Sequence, residues 1–189
     1  MPLPAVALML IPDPHTPYRN RSGDPLATAG VVDAIVKRLF PIAEVVTPNI
    51  PEAETILGDG RQITTEEDMI AAARDIHAMG AKCVVIKGGH LNKSGVDPEE
   101  AVDVLFDGER PVAMRGPWIQ ATNTHGTGCT LASAVAAHLS MGCGKRTAVQ
   151  LARKYVQGAI RSSVGLAIGS GSQRPMNHAY ATHCWAEGR

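Results

Sequence analysis

Aromatic residues are scarce: two Trp, three Tyr and two Phe make up 4% of the 189 residues. A stacking platform for single-stranded nucleic acid needs several such rings, so that class of partner is excluded. An excess of charge of either sign is also missing. Eighteen Lys and Arg balance eighteen Asp and Glu, which leaves no electrostatic argument for nucleic acid or an acidic membrane surface. The four cysteines, Cys83, Cys129, Cys143 and Cys184, form no CxxC pair and have no histidines at zinc spacing. They read as reduced thiols of a cytosol-like compartment, with Cys83 buried in a strand-like run. The apolar run at residues 5–11 is too short to span a bilayer, and it lacks a basic flank and a cleavage site. It therefore reads as a buried strand. There is no Walker P-loop, internal repeat or low-complexity tract.

What is present fits one globular domain of α/β size, with 44% hydrophobic and 19% charged residues. After the first apolar run, residues 12–25 hold prolines, Gly23 and polar side chains, and read as a loop. Residues 28–40 place Val31, Val32, Ile35, Val36 and Leu39 at helical period, with Asp24 or Thr28 as cap and Pro41 as stop. Residues 44–47 form a short strand before Pro48. Pro51 opens a short helix that Gly58 closes. The next helix starts at Thr64 or Thr65, through a capping box with Glu67 or Asp68 respectively, and stops at Gly80. Residues 82–87, KCVVIK, are a buried strand. This alternation predicts a mostly parallel sheet with helical crossovers. Residues 102–106 and 111–114, around Asp107-Gly108, predict an edge hairpin. Two helices of small residues follow, at 128–140 and 146–163, and then a loop-like tail.

Three polar clusters stand just after predicted strands, where ligands bind in open parallel sheets. The first is Thr47-Pro48-Asn49 with Glu52. Asn49 and Glu52 share one helix face and suit magnesium held through water, or else Asn49 is a helix cap and Glu52 a solvated carboxylate. The second is Lys87-Gly88-Gly89-His90. Its lysine suits a transferring phosphoryl group, or else is a strand-end lysine with its charge in water. The third, residues 124–130, puts Gly126, Thr127, Gly128 and Cys129 at a helix start. Unpaired N–H groups and the macrodipole there hold anions, glycines admit a close approach, and the field favours a thiolate. His125 precedes Cys129 by four residues. A glycine-rich turn before an ordinary buried helix fits the same residues. A Cys–His pair at an anion-holding helix start suits phosphoryl transfer or thiol acyl chemistry. Lys87 and the Asn49/Glu52 pair favour the first. Tyr155 and Val156 line a pocket or pack the core, and the remaining histidines carry no assigned chemistry.

TPNIPEAE (47–54), VVIKGGH (84–90) and THGTGCTLASAVAAHL (124–139) resemble the hydroxymethylpyrimidine/phosphomethylpyrimidine kinases of thiamine biosynthesis, in the ribokinase-like superfamily. RSGDPL (21–26), residues 41–43 and RPMNH (174–178) extend the likeness in order, over about residues 22–178. The resemblance implies a single α/β domain over 1–189, of three-layer ribokinase-like fold with a mostly parallel sheet. Residues 1–21 diverge and 179–189 form a tail. No counterpart of the family's N-terminal glycine-rich substrate loop is present, so the chain is expected to enter that fold midway, near Asp13-Pro14. The implied activity is phosphorylation of hydroxymethylpyrimidine and then of its monophosphate, using ATP and Mg2+. Pyridoxal kinase is the neighbouring alternative. A non-catalytic remnant acting by partner binding is the alternative of another class. Gly126, Thr127, Gly128 and Cys129 match the anion hole, with Cys129 at the place of a catalytic base and His125 its partner. Lys87 matches the phosphate-contacting lysine, Asn49 and Glu52 the magnesium element, and Thr47 and Gly89 flank the nucleotide site. The expected partner is a small molecule, with no nucleic acid or membrane, and a homo-oligomer is compatible. The expected location is cytoplasmic, or an organelle if a targeting segment lies upstream.

Overall fold

The computed structural model describes residues 29–89, 91, 100–124, 126–166 and 174–181, in two compact units that divide after Pro117. The strand expected at residues 5–11, the loop after it, and the caps Asp24 and Thr28 lie outside the described residues.

The first unit runs α1 (Ala29–Arg38), a 3-10 turn (Phe40–Ile42), α2 (Ile50–Leu57), α3 (Glu66–Ala78), β1 (Val84–Lys87), β2 (Glu100–Phe106) and β3 (Val112–Pro117). Its helices begin and end where local chemistry dictates. Asn49 caps α2 reciprocally with Glu52, proline stands in the first turn, and Gly58 closes the helix in the left-handed region at φ 65°. Of the two capping boxes the sequence offers for α3, Thr65 with Asp68 forms. The Asp68 carboxylate accepts from the Thr64 and Thr65 N–H groups, which hold its carboxyl below the usual range.

Alternation then sets the core. Val84 and Ile86 of β1 and Val104 and Phe106 of β2 face Met69, Ala72, Ala73 and Ile76 of α3 and Ile50, Ala53 and Ile56 of α2. Most of these side chains are fully buried. Each large one contributes about 1.5–3 kcal/mol by leaving water.

The sheet order is β1-β2-β3, and both pairings are antiparallel. The β2–β3 hairpin forms as expected, with Gly108 at φ 94° in its turn. The expected parallel pairing is confined, among the described residues, to bridges Val46↔Val84 and Asn49↔Lys87 beside β1. The difference follows from the connections. Only α2 and α3 form a helical crossover between described extended segments, and parallel neighbours need one, whereas the short β2–β3 turn forces reversal.

The second unit holds α4 (Thr127–Ser140) and α5 (Lys145–Arg161), joined by a short turn. Leu131, Ala132 and Val135 of α4 and Ala148, Val149, Ala152, Val156 and Ala159 of α5 are buried. Their small size lets the two helices approach closely. No described helix is long and apolar enough to cross a membrane.

Candidate functional site

In the first unit, the crossover brings Thr47, Asn49 and Glu52 to the end of β1, where Lys87 and Gly89 stand. The Lys87 N–H donates to the Pro48 carbonyl at 2.9 Å, which ties the two clusters together through the backbone. Asn49 Oδ1 accepts from the Glu52 N–H at 2.8 Å, and Glu52 Oε2 accepts from the Asn49 N–H at 2.7 Å. The cap reading of Asn49 is therefore realised. Glu52 is not a solvated carboxylate: it is only 5% exposed. A buried carboxylate is costly unless hydrogen-bonded and paired, and the Lys87 ammonium stands 3.9 Å from Oε2. Thr47 is buried, with its hydroxyl unpartnered among the described residues.

Gly88 and Gly89 separate in role. A Cβ on Gly88 would overlap the Val102 carbonyl, whereas one on Gly89 would meet nothing within 4 Å among the described residues. Gly88 is thus required by a close approach within the sheet, and Gly89 is not required by packing among the described residues.

In the second unit, Gly126 is the N-cap of α4 at φ 87°, a left-handed conformation that glycine adopts without strain. The helices α2 and α3 fill their starts with capping boxes, but α4 and α5 begin on glycines with no side-chain cap. Thr127, Gly128 and Cys129 occupy the first three positions of α4; the Thr127 N–H donates to the Thr124 carbonyl at 3.3 Å, and those of Gly128 and Cys129 have no intrahelical acceptor. Thr130 Oγ1 donates to the Gly126 carbonyl at 2.8 Å and fixes the turn. Cys129 is exposed and unbonded to another cysteine. His125 lies outside the described residues.

A cavity of about 540 Å³ runs along this helix, lined by Cys129, Thr130, Ser133, Ala134, Ala137 and His138 of α4. Tyr155 and His178 complete its wall. Of the two readings left open for Tyr155, the pocket is the one observed, while Val156 is buried. The span from Cys129 to His138 is about 14 Å along the helix. Among the described residues of this unit there are six Lys and Arg and no carboxylate side chain. The zero net charge of the chain hides that asymmetry, which favours an anionic ligand here.

Two residues that hold this wall in place, Asn123 and Tyr180, escaped the sequence reading. Asn123, 2% exposed, donates from its amide to the carbonyls of Leu166 and Pro175, both at 3.2 Å, and so seats the tail. Tyr155 donates its hydroxyl to the His178 carbonyl at 2.8 Å. Tyr180 packs 5.5 Å from the Tyr155 ring and directly against Gly158, and burial pushes its hydroxyl pKa up. Gly158→Ala would drive a methyl into the Tyr180 ring. It is expected to cost about 1–3 kcal/mol, lowering the melting temperature by several degrees. It should also release residues 174–181 to limited proteolysis.

The phosphomethylpyrimidine kinase family model matches residues 8–176. The chain belongs to this family. It is 43% identical over 161 residues to the Arabidopsis thaliana "Thiamine biosynthetic bifunctional enzyme TH1, chloroplastic", covering 85% of this chain and 30% of that protein. Among solved structures, an ADP complex of Bacillus subtilis pyridoxal kinase superposes with a TM-score of 0.72 at 35% identity, over 84% of this chain and 56% of that one. A phosphomethylpyrimidine kinase from Clostridium difficile gives 0.55 at 34% identity, over 75% and 54%. The chain thus spans about half or less of these phosphomethylpyrimidine kinase and pyridoxal kinase relatives.

Proposed function

We propose that this chain carries the phosphoryl-transfer machinery of a hydroxymethylpyrimidine/phosphomethylpyrimidine kinase. The reaction moves the terminal phosphoryl group of ATP onto the hydroxymethyl oxygen of the pyrimidine, and then onto its monophosphate. The observation that carries this reading is the start of α4. Its Gly128 and Cys129 N–H groups are left open by the described side chains, Cys129 sits on its third position, and a cavity continues along the same helix face. Open amides suit a phosphate, and the cavity suits the rest of a nucleotide. The family match runs unbroken across both units, which supports one ribokinase-like domain of three layers around a mostly parallel sheet.

The residues present fit magnesium only through water. No group of three His, Cys, Asp or Glu gathers among the described residues, so there is no protein cage. Magnesium keeps much of its hydration beside phosphates and needs one or two carboxylates. Glu52, held in place by Asn49, supplies one. When bound, that ion would neutralise charge on the phosphates. The chain's own residues do the remainder. The Gly126–Cys129 amides hold the transferring group in place. Cys129 takes the proton of the acceptor hydroxyl, and His125 supports the thiolate. Lys87 holds charge on the phosphates, with Thr47 and Gly89 shaping the turn ends beside it.

Lys87→Met tests one of these roles. Losing one charge-assisted contact is expected to weaken binding of ATP with magnesium about tenfold, measured by titration calorimetry. Unchanged affinity would remove Lys87 from the phosphate site.

Pyridoxal kinase is the second reading, favoured by the higher TM-score to that enzyme's structures. The deciding experiment is ATP consumption by the full chain with hydroxymethylpyrimidine, its monophosphate, or pyridoxal. Turnover with the pyrimidines supports the proposal. Turnover with pyridoxal alone transfers it to the second reading. A folded chain that turns over neither favours the reading of a non-catalytic member acting by partner binding.

A further inference from the structure

The sequence reading placed Lys87 at a strand end but gave it nothing to hold its direction. The β1–β2 ladder supplies a candidate. Lys87 pairs with Asp103 directly across the antiparallel register. Directly opposed residues share one face of a sheet, with Cβ atoms about 5 Å apart. Asp103 also reaches past the strand end: its Oδ1 accepts from the Gly88 N–H at 2.9 Å. Gly88 packs so closely on the Val102 carbonyl that a Cβ there would overlap it. Glu52 approaches Lys87 from α2, at 3.9 Å. The lysine therefore rises from a strand end fixed on one side by the α2 capping box and on the other by Asp103.

We propose that Asp103 is a positioning residue, whose carboxylate pins the Gly88 turn and fixes the place of the Lys87 ammonium across the β1–β2 ladder. Asp103 acts through Lys87 and the backbone and touches no reacting atom. The link to phosphoryl transfer rests on the kinase reading; the placement of Lys87 does not.

The test uses the full chain and a readout that needs no activity. Lys87 is labelled with an amine-reactive ester, and its rate is followed by peptide mass spectrometry, with Lys37 and Lys82 as internal controls. Acylation requires the amine to swing out to the reagent, so a lysine whose direction is held at the strand end, beside Glu52 and opposite Asp103 in the ladder, labels slowly. Asp103→Asn keeps an acceptor for the Gly88 N–H and removes the charge. By removing one charge-assisted restraint on the side chain, it is expected to speed Lys87 labelling about 3- to 10-fold and leave the control lysines unchanged. Asp103→Ala should in addition deprotect the Gly88 amide in hydrogen exchange, and Asp103→Glu should restore part of the slow labelling. Unchanged Lys87 labelling in Asp103→Asn overturns the proposal. So does a parallel rise at Lys82, or failure of Asp103→Asn to fold, since either makes the role merely structural. Adding ATP with magnesium separates the two readings. If the wild-type Lys87 is not shielded while the Asp103 effect persists, the kinase reading fails and the positioning role stands.

Discussion

Gly88→Ala is expected to lower the melting temperature by about 10 °C, while Gly89→Ala leaves it unchanged within about a degree. The two glycines are adjacent, and each ends in the same turn, so the contrast isolates one cause. A Cβ on Gly88 overlaps the backbone carbonyl of Val102 and comes within 3.2 Å of Met69 Cε. A flexible side chain can yield to such an intrusion, but a carbonyl inside a ladder cannot move without breaking its strand pairing. Met69 is itself fully buried in the core, so the second contact offers no relief. Overpacking of this kind costs about 3 kcal/mol. Differential scanning calorimetry on the two variants and wild type checks it. A drop of less than about 3 °C in Gly88→Ala would mean that β1 and β2 separate there at little cost.

That contrast also marks how far sequence reaches. The Thr65–Asp68 capping box, the Asn49 cap, the hairpin at Asp107-Gly108 and the helix opening just before Cys129 were legible, because each rests on chemistry within four or five neighbouring residues. Gly88 was not: the carbonyl that requires it belongs to Val102, on another strand, and two consecutive glycines look alike until that strand is placed. Tyr180 against Gly158 is the same case. Burial of Glu52 was missed because a carboxylate three residues after Asn49 fits a cap whether it faces water or Lys87, and only the crossover brings Lys87 near. Parallel pairing, which alternating helices and strands predict, is seen among the described residues only at the bridges beside β1. The strand added by a tight turn does not carry that signal. The charge asymmetry was legible but averaged away: residues 118–189 hold seven Lys and Arg against the single acid Glu187. Residues of the candidate site were thus found as types in a pattern, while what holds them in position came from contacts distant in sequence.

Cys129→Ala is the converse of Gly88→Ala, with a large expected effect on turnover and almost none on stability. Cys129 is exposed, and its side chain fills no core. Alanine is the best helix former, so the start of α4 should persist and the melting temperature should stay within about a degree. The amides at the start of α4 belong to the backbone and survive the substitution, so affinity for ATP with magnesium should also be retained. What disappears is the group proposed to take the acceptor proton. Loss of a positioned general base lowers kcat about 10²–10⁴-fold. With the pyrimidine acceptor, kcat should therefore collapse while nucleotide affinity holds. Cys129→Ser separates the thiolate from the mere presence of a hydrogen-bonding group, since a hydroxyl stays protonated where a thiol ionises, and it should recover little. Phosphorylated product formed by Cys129→Ala at the wild-type rate would remove the thiol from the reaction. It would leave the open amides of α4 as the functional element of this helix, with proton removal assigned elsewhere. If nucleotide affinity fell together with kcat, Cys129 would instead be shaping the phosphate site, and the base would have to be sought among other residues.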